Sequence, residues 1–125
     1  MILDTNALSA MADGDRRMAP ILQQAKQIEI PVVVLGEYRY GIRQSRNRKV
    51  YEYWLSQIIP DCRVLVVDDT TAERYAEVRD ELRRSGRPIP SNDLWIAGLA
   101  RQHDSPLLSR DRHFDAVPGL QRIDW

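Results

Sequence analysis

Short apolar segments that alternate with helical segments restrict the fold of this chain more than any other feature. The sequence predicts five strands, at Met1–Leu3, Ile28–Val32, Arg63–Val67, Pro106–Ser109 and Leu120–Ile123. These runs do not alternate between apolar and polar residues, which is typical of strands that are buried on both faces. Because helical segments separate them, the pattern predicts an α/β fold with a mostly parallel sheet covered on both faces.

The helical segments are identified by apolar residues at three- and four-residue spacing and by capping residues. They are predicted at Ala7–Ala12, Arg16–Gln27, Val33–Gln44, Arg48–Ile59, from a capping box at Thr70 to about Arg84, and from a capping Ser91 to about Gln102.

The size and composition indicate one ordinary compact domain, residues 1–125. Hydrophobic residues make up 43% of the chain and charged residues 29%. The single cysteine, Cys62, excludes a disulfide framework and a cysteine zinc cluster. No apolar run approaches a membrane span, and the N-terminal residues do not read as a signal peptide. We therefore expect a cytoplasmic protein with no membrane partner.

Four carboxylates stand where a short apolar run ends or a helix begins: Asp4, Glu37, Asp93 and Asp111. The carboxyl ends of parallel strands meet at one edge of a sheet, and ligand sites form there. Carboxylates gathered at that edge would repel one another unless a cation binds between them, and a hard divalent cation is the usual one. The positions therefore predict a metal site.

Each of these acids also has a structural explanation when it is taken alone. Asp4 could cap a helix, Glu37 could face solvent, and Asp93 could interact with a helix dipole. Asp111 could form a turn. Their joint placement favours the metal site.

The basic residues are distributed unevenly although the net charge is zero. Between Arg39 and Lys49 there are five basic residues and no acid. If the four candidate ligands are set aside, 14 acids face 18 bases, which leaves a formal charge of +4. A basic surface around an acidic, metal-loaded pocket suits a phosphodiester substrate. An ordinary solvated helix face is the alternative for the basic run.

Four segments carry a resemblance to a known family: Leu3-Asp4-Thr5-Asn6, Gly36–Ile42, Asn92–Ala97 and Ser109–Phe114. In order and content they resemble PIN-domain nucleases and, more narrowly, the VapC toxins of toxin–antitoxin pairs. The resemblance implies a three-layer α/β/α fold and a ribonuclease that depends on Mg²⁺ or Mn²⁺. It also implies an antitoxin that covers the site, and a toxin homodimer.

The resemblance assigns roles to individual residues. Asp4 and Asp93 would be the central metal ligands, and Glu37 or Asp111 would orient or deprotonate the attacking water. Supporting positions implied by the motifs are Asn6, Asn92 and Ser109. The last motif departs from many relatives, because His113 stands where they carry an acid. Whether His113 or Asp115 assists Asp111 is left open, as is a choice between one metal ion and two. The candidates for gripping RNA are Arg39, Arg43 and Arg112.

Three other interpretations compete with this one. A receiver-like phosphoacceptor domain needs a lysine near the acids, but Lys26 and Lys49 fall within predicted helices. A phosphatase of the haloacid dehalogenase type would have aspartate where Asn6 stands. A non-catalytic RNA- or protein-binding module with the same fold has no need of four acids.

Overall fold

The sheet at the centre of the molecule has five parallel strands in the order β3-β2-β1-β4-β5. The computed structural model describes all residues, 1–125. The strands are β1 (Ile2–Leu3), β2 (Glu29–Pro31), β3 (Arg63–Leu65), β4 (Leu107–Leu108) and β5 (Arg122–Ile123). In the middle of the sheet, Ile2 pairs with Glu29 on one side and with Leu107 on the other. The predicted parallel sheet is confirmed.

Helices cover both faces of this sheet. They are α1 (Thr5–Ala12), α2 (Ala19–Gln24), α3 (Val32–Arg43), α4 (Arg48–Ile58), α5 (Asp69–Arg84) and α6 (Ser91–His103). The chain moves outward from β1 to β3 and then returns across the sheet to β4, so right-handed crossovers place α1–α4 on one face and α5 and α6 on the other. Accordingly, α1 packs against α3 and α4, whereas α5 packs against α6. The three-layer α/β/α architecture is confirmed.

The core consists of 23 buried apolar residues contributed by the sheet and by the inner faces of the helices. Gly98 lets α6 approach α5 closely, because a Cβ at this position would lie 3.2 Å from the backbone nitrogen of Tyr75. No helix combines the length and apolar character that crossing a bilayer requires.

All five strands are shorter in the structure than predicted from the sequence, and one predicted helix is interrupted. The strand that begins at Arg63 ends at Leu65, and the exposed Val66 and Val67 continue without pairing. The helix predicted for Arg16–Gln27 is split into a 3₁₀ turn and α2. Pro20 lies in the first turn of α2, where its missing N–H costs no hydrogen bond.

Two helix starts also differ from the prediction. The capping box of α5 uses Asp68 as the N-cap with Thr71, and not Thr70. Ser91 is the first residue of α6 and does not cap it, because Pro90 occupies the capping position.

Candidate active site

The topological switch point of the sheet lies between the carboxyl ends of β1 and β4, where the order in which the chain adds strands reverses. From β1 the chain crosses outward to β2, while β4 lies on the other side of β1. Connections that leave two neighbouring strands in opposite directions open a crevice, which is where α/β proteins bind ligands. Asp4 follows β1 and Ser109 follows β4, and the Asp4 N–H donates to the carbonyl of Leu108 at 3.4 Å. Two predicted site residues thus stand in this crevice.

Asp4 is held by two hydrogen bonds and is only 5% exposed. Its Oδ1 accepts from the backbone N–H of Ala7 at 2.8 Å, and its Oδ2 accepts from the hydroxyl of Ser109. Asp4 is therefore the N-cap of α1 and also a member of the carboxylate group. The expectation that Asp4 caps a helix is confirmed, and the cap uses only Oδ1.

Glu37 connects three helices at the same edge. Its Oε2 accepts from the hydroxyl of Thr5 at 2.6 Å, and its Oε1 accepts from the amide of Asn92. Beside it, no atom lies within 4 Å of where a Cβ on Gly36 would stand. The glycine therefore leaves the surface next to Glu37 open and serves no packing contact.

Asp93, Asp111 and His113 form a cluster of their own, and the charges of Asp4 and Glu37 act on it. One potential ligand atom from each lies within 4.8 Å of those of the other two. The backbone N–H of His113 donates to Asp111 Oδ1 at 2.9 Å, and its Nδ1 lies 3.1 Å from the same oxygen. The next residue, Phe114, is fully buried and anchors this segment to the core.

The pKa values of the clustered carboxylates indicate that no positive charge balances them. The pKa of Asp93 is raised to about 6, mainly by burial and in addition by the neighbouring Asp111, Glu37 and Asp4, against the opposing effect of His113. Burial also raises the pKa of Asp4, and Asp111 and Glu37 add to this increase. No arginine or lysine lies within ion-pair distance of any of the four carboxylates, and their one basic neighbour is His113, whose Nδ1 is 3.1 Å from Asp111. Oxygen ligands of this kind could hold a hard divalent cation.

The supporting residues fall into two sets. Ser109 and Asn92 donate to Asp4 and Glu37, and His113 contacts Asp111. Asn6 is exposed on α1 and makes no side-chain hydrogen bond. Asp115 is turned toward Arg122, whose guanidinium donates to both of its oxygens at 2.7 and 3.0 Å. The structure does not bring Asn6 or Asp115 into the carboxylate group.

Two contributing residues were not recognised in the sequence. Thr5 holds Glu37, and its position directly after Asp4 at the start of α1 is the signal that could have found it. Arg122 donates to the carbonyl of Ser109 at 2.9 Å as well as to Asp115. It reaches the site only because β5 pairs with β4, so no local pattern marks it.

The three candidate RNA-binding arginines are exposed but occupy different places. The pKa of Glu52 on α4 is lowered mainly by a hydrogen bond from Arg48 and further by the charges of Arg43 and Arg39, so both of these lie near α4. Arg112, by contrast, directly precedes His113 at the acidic group.

Comparison with known proteins agrees with this geometry. A family model described as PIN domain matches residues 1–120. Ribonuclease VapC5 of Mycobacterium tuberculosis is 29% identical over 125 residues, which span 98% of this chain and 91% of that protein. The tRNA(fMet)-specific endonuclease VapC of Shigella flexneri is 37% identical, over 83% of this chain and 79% of that protein.

A solved structure shows the same fold. DNA-bound VapBC from Salmonella typhimurium matches with a TM-score of 0.87 and 25% identity, covering 99% of this chain and 96% of that one. The family model extends over nearly the whole chain, and the sequence relatives extend over most of it. This chain therefore belongs to the PIN-domain family and, within it, to the VapC ribonucleases.

Proposed function

We propose that this chain is a Mg²⁺- or Mn²⁺-dependent endoribonuclease whose metal is held by Asp4, Glu37, Asp93 and Asp111. The observation that carries the proposal is the convergence of these acids at the switch point of the sheet without a compensating lysine or arginine. A perturbed carboxylate beside others of the same charge is what a catalytic cation site requires.

The ligand set is largely preorganised. Asp4 and Glu37 each accept two hydrogen bonds, which fix the direction of their remaining lone pairs. Asp93 makes no side-chain hydrogen bond within the protein, so both of its oxygens are available to a cation. We assign Asp4 and Asp93 as the principal ligands because Asp4 is rigidly held and Asp93 is free to bind.

The remaining acids orient the nucleophile. A bound divalent ion would neutralise charge on the phosphodiester oxygens and make water more acidic. Glu37, which Thr5 and Asn92 hold, or Asp111, which lies beside His113, would accept a hydrogen bond from the attacking water. The water oxygen bonds to phosphorus, the bond from phosphorus to the 3′ oxygen breaks, and a proton passes to that oxygen. The products are a 5′-phosphate and a 3′-hydroxyl.

The relatives extend the proposal to a substrate class and to partners. One relative is named as an endonuclease specific for a transfer RNA, and the matched structure is a toxin–antitoxin complex. We propose a structured RNA as the substrate, a cognate antitoxin as the partner, and a homodimer as the assembly. Tyr40, Val50 and Tyr53 on α3 and α4 are 66–68% exposed, and this apolar surface is suited to a protein contact.

RNA cleavage in the presence of Mg²⁺, Mn²⁺ or EDTA tests the proposal. Wild-type protein should cleave a mixed RNA substrate with either metal and not with EDTA, and the 5′ ends of the products should carry phosphate. Asp93→Asn, purified in the same way, is the control for contaminating nucleases. Equal cleavage by the variant would remove the assignment of the site. Absence of cleavage by the wild type with either metal would favour a non-catalytic RNA- or protein-binding module.

A further inference from the structure

A cleft of about 300 Å³ opens beside the acidic group and is not used by the carboxylates themselves. It is lined by Arg87, Pro88, Ile89, Arg112, His113, Asp115 and Ala116. His113 belongs both to this cleft and to the group formed with Asp93 and Asp111. The cleft is therefore continuous with the proposed catalytic centre.

The charge of the cleft is positive. Arg87 and Arg112 are exposed, and neither makes an ion pair or a side-chain hydrogen bond within the protein. The only acid in the lining, Asp115, is bound through both oxygens by Arg122, and this hydrogen bonding lowers the pKa of its carboxyl. The cleft therefore contains two guanidinium groups without an ion-pair partner, those of Arg87 and Arg112, and the charge of its one acid is already balanced by Arg122.

Both arginines are carried by a fixed backbone. At the end of α5, Gly86 adopts a φ of +69°, and the N–H of Arg87 donates to the carbonyl of Leu82 at 2.9 Å. This is the Schellman arrangement, which closes a helix in one defined direction. Arg112 begins the 3₁₀ turn that the buried Phe114 anchors. The spacing between the two arginine backbones is therefore set before any ligand binds.

We propose, on the basis of the ribonuclease function proposed above, that the cleft between Arg87 and Arg112 is the subsite that holds the RNA backbone beside the scissile phosphate. Guanidinium groups bind phosphate oxygens through paired N–H donors. Pro88, Ile89 and Ala116 supply an apolar floor for the attached ribose or base. The acids at the centre repel a polyanion, so phosphate binding at this neighbouring position holds the strand against that repulsion.

RNA binding measured in EDTA tests this subsite separately from catalysis. The probe is a short, fluorescently labelled single-stranded RNA, and the readout is the dissociation constant between about 50 and 200 mM salt. Arg87→Gln and Arg112→Gln should each weaken binding roughly fivefold and lower the slope of log Kd against log salt by about one. Arg87→Lys should restore most of the affinity, because it restores the charge.

Lys26→Gln is the matched control. It removes one positive charge near Glu29, at the amino ends of the strands and away from the four candidate metal ligands at their carboxyl ends. Its Kd and salt slope should equal those of the wild type, and all variants should keep the wild-type melting temperature. Wild-type affinity and slope in both arginine variants would overturn the proposed subsite, even if the wild type cleaves RNA. Weakened binding together with an inactive wild type would instead overturn the ribonuclease proposal and leave the cleft as an RNA-binding site.

Discussion

Two buried carboxylates, Asp4 directly after β1 and Glu29 at the start of the neighbouring β2, are equally inaccessible to solvent but have opposite electrostatic surroundings. Each is 5% exposed. Burial alone would raise the pKa of Glu29, but the Ser105 hydroxyl, the N-terminal ammonium and Arg63 together lower it. Around Asp4, burial and the nearby acids raise the pKa, and no basic side chain is within ion-pair distance.

The difference shows at which end of the strands the protein itself balances the buried negative charge. Glu29 is neutralised by the protein, with the ammonium at 3.1 Å and the Ser105 hydroxyl at 2.7 Å, so it behaves as a structural residue. At the carboxyl ends of the strands, around Asp4, no lysine or arginine offsets the charge of the acids, so this charge is available to a bound cation. Equal burial therefore does not separate a structural acid from a functional one, whereas the charge of the neighbours does.

The largest expected effect is on catalysis and concerns Asp4 alone. Asp4→Asn should lower the rate of RNA cleavage about a hundredfold or more, the loss typical when one preorganised charge-stabilising group is removed. The fold should persist because asparagine caps helices as well as aspartate does. The measurement is kcat/KM with Mg²⁺. Glu29→Gln, the matched change at the other edge, should retain wild-type activity at a temperature where it is folded. Equal losses in both variants would contradict the comparison.

A second effect, on the free energy of unfolding, should be larger for Glu29→Gln than for Asp4→Asn. Glu29→Gln should lower the free energy of unfolding by about 2 kcal/mol, because it leaves the N-terminal ammonium without its charged partner and weakens the contact with Arg63. Asp4→Asn should be neutral or stabilising in EDTA, since it removes a buried, repelled charge. Urea denaturation of both variants in EDTA measures the difference. The structural assignment of Glu29 is wrong if Asp4→Asn is the less stable of the two.

Metal binding should stabilise the folded protein by a smaller amount. At ten times its dissociation constant, Mn²⁺ or Mg²⁺ should add about 1.4 kcal/mol, which corresponds to a rise of roughly 5 °C in Tm. Asp93→Asn should lose most of this rise in Tm. Glu29→Gln should show the full rise, starting from a lower Tm in EDTA. The measurement is a thermal melt with added metal against EDTA. A rise that is unchanged in Asp93→Asn would place the ion elsewhere.

A further expected effect is a pH dependence of stability that has opposite signs at the two ends of the sheet. The pKa of Asp93 rises from 3.8 to about 6 on folding, so the folded state binds more protons than the unfolded state between these values. Its contribution to stability is therefore present below about pH 4 and is lost as the pH rises through 6. Glu29, whose pKa is lowered, contributes stability above its unfolded pKa and loses it as the pH falls.

Unfolding free energies measured across this pH range in EDTA separate the two contributions. Asp93→Asn should remove the decline between pH 4 and 6, and Glu29→Gln should remove the loss on acidification. Because protons compete with the metal for the carboxylates, stabilisation by Mg²⁺ should also weaken as the pH falls below about 6. A wild-type curve that Asp93→Asn leaves unchanged would contradict the raised pKa.

The position of each acid relative to its secondary-structure element could be predicted from sequence, but its contacts could not. Asp4 was expected either to cap a helix or to bind metal, and the structure shows that one oxygen caps α1 while the other accepts from Ser109. A local pattern cannot assign the two oxygens separately. Ser109 lies 105 positions along the chain, so only the parallel pairing of β1 and β4 brings the two together.

The last motif shows the same limit. His113 and Asp115 are equivalent in sequence as helpers of Asp111, since each lies within four residues of it. In the structure His113 contacts Asp111, whereas Asp115 is held by Arg122 from β5. Which of the two contacts Asp111 therefore depends on Arg122, seven positions after Asp115, which the pairing of β5 with β4 brings close to Asp115.

The sequence by itself determined the alternation of strands and helices, the parallel sheet, and the placement of Asp4, Asp93 and Asp111 where elements meet, because periodicity and capping are local properties of the chain. Only the tertiary structure decided that Glu37, from the middle of α3, joins these acids, which acids are neutralised and which arginines remain unpaired. Those outcomes depend on strand order and on contacts between distant segments: Glu29 begins β2 and Asp4 follows the adjacent β1, yet the helices and loops packed at the two ends of the sheet give them opposite surroundings.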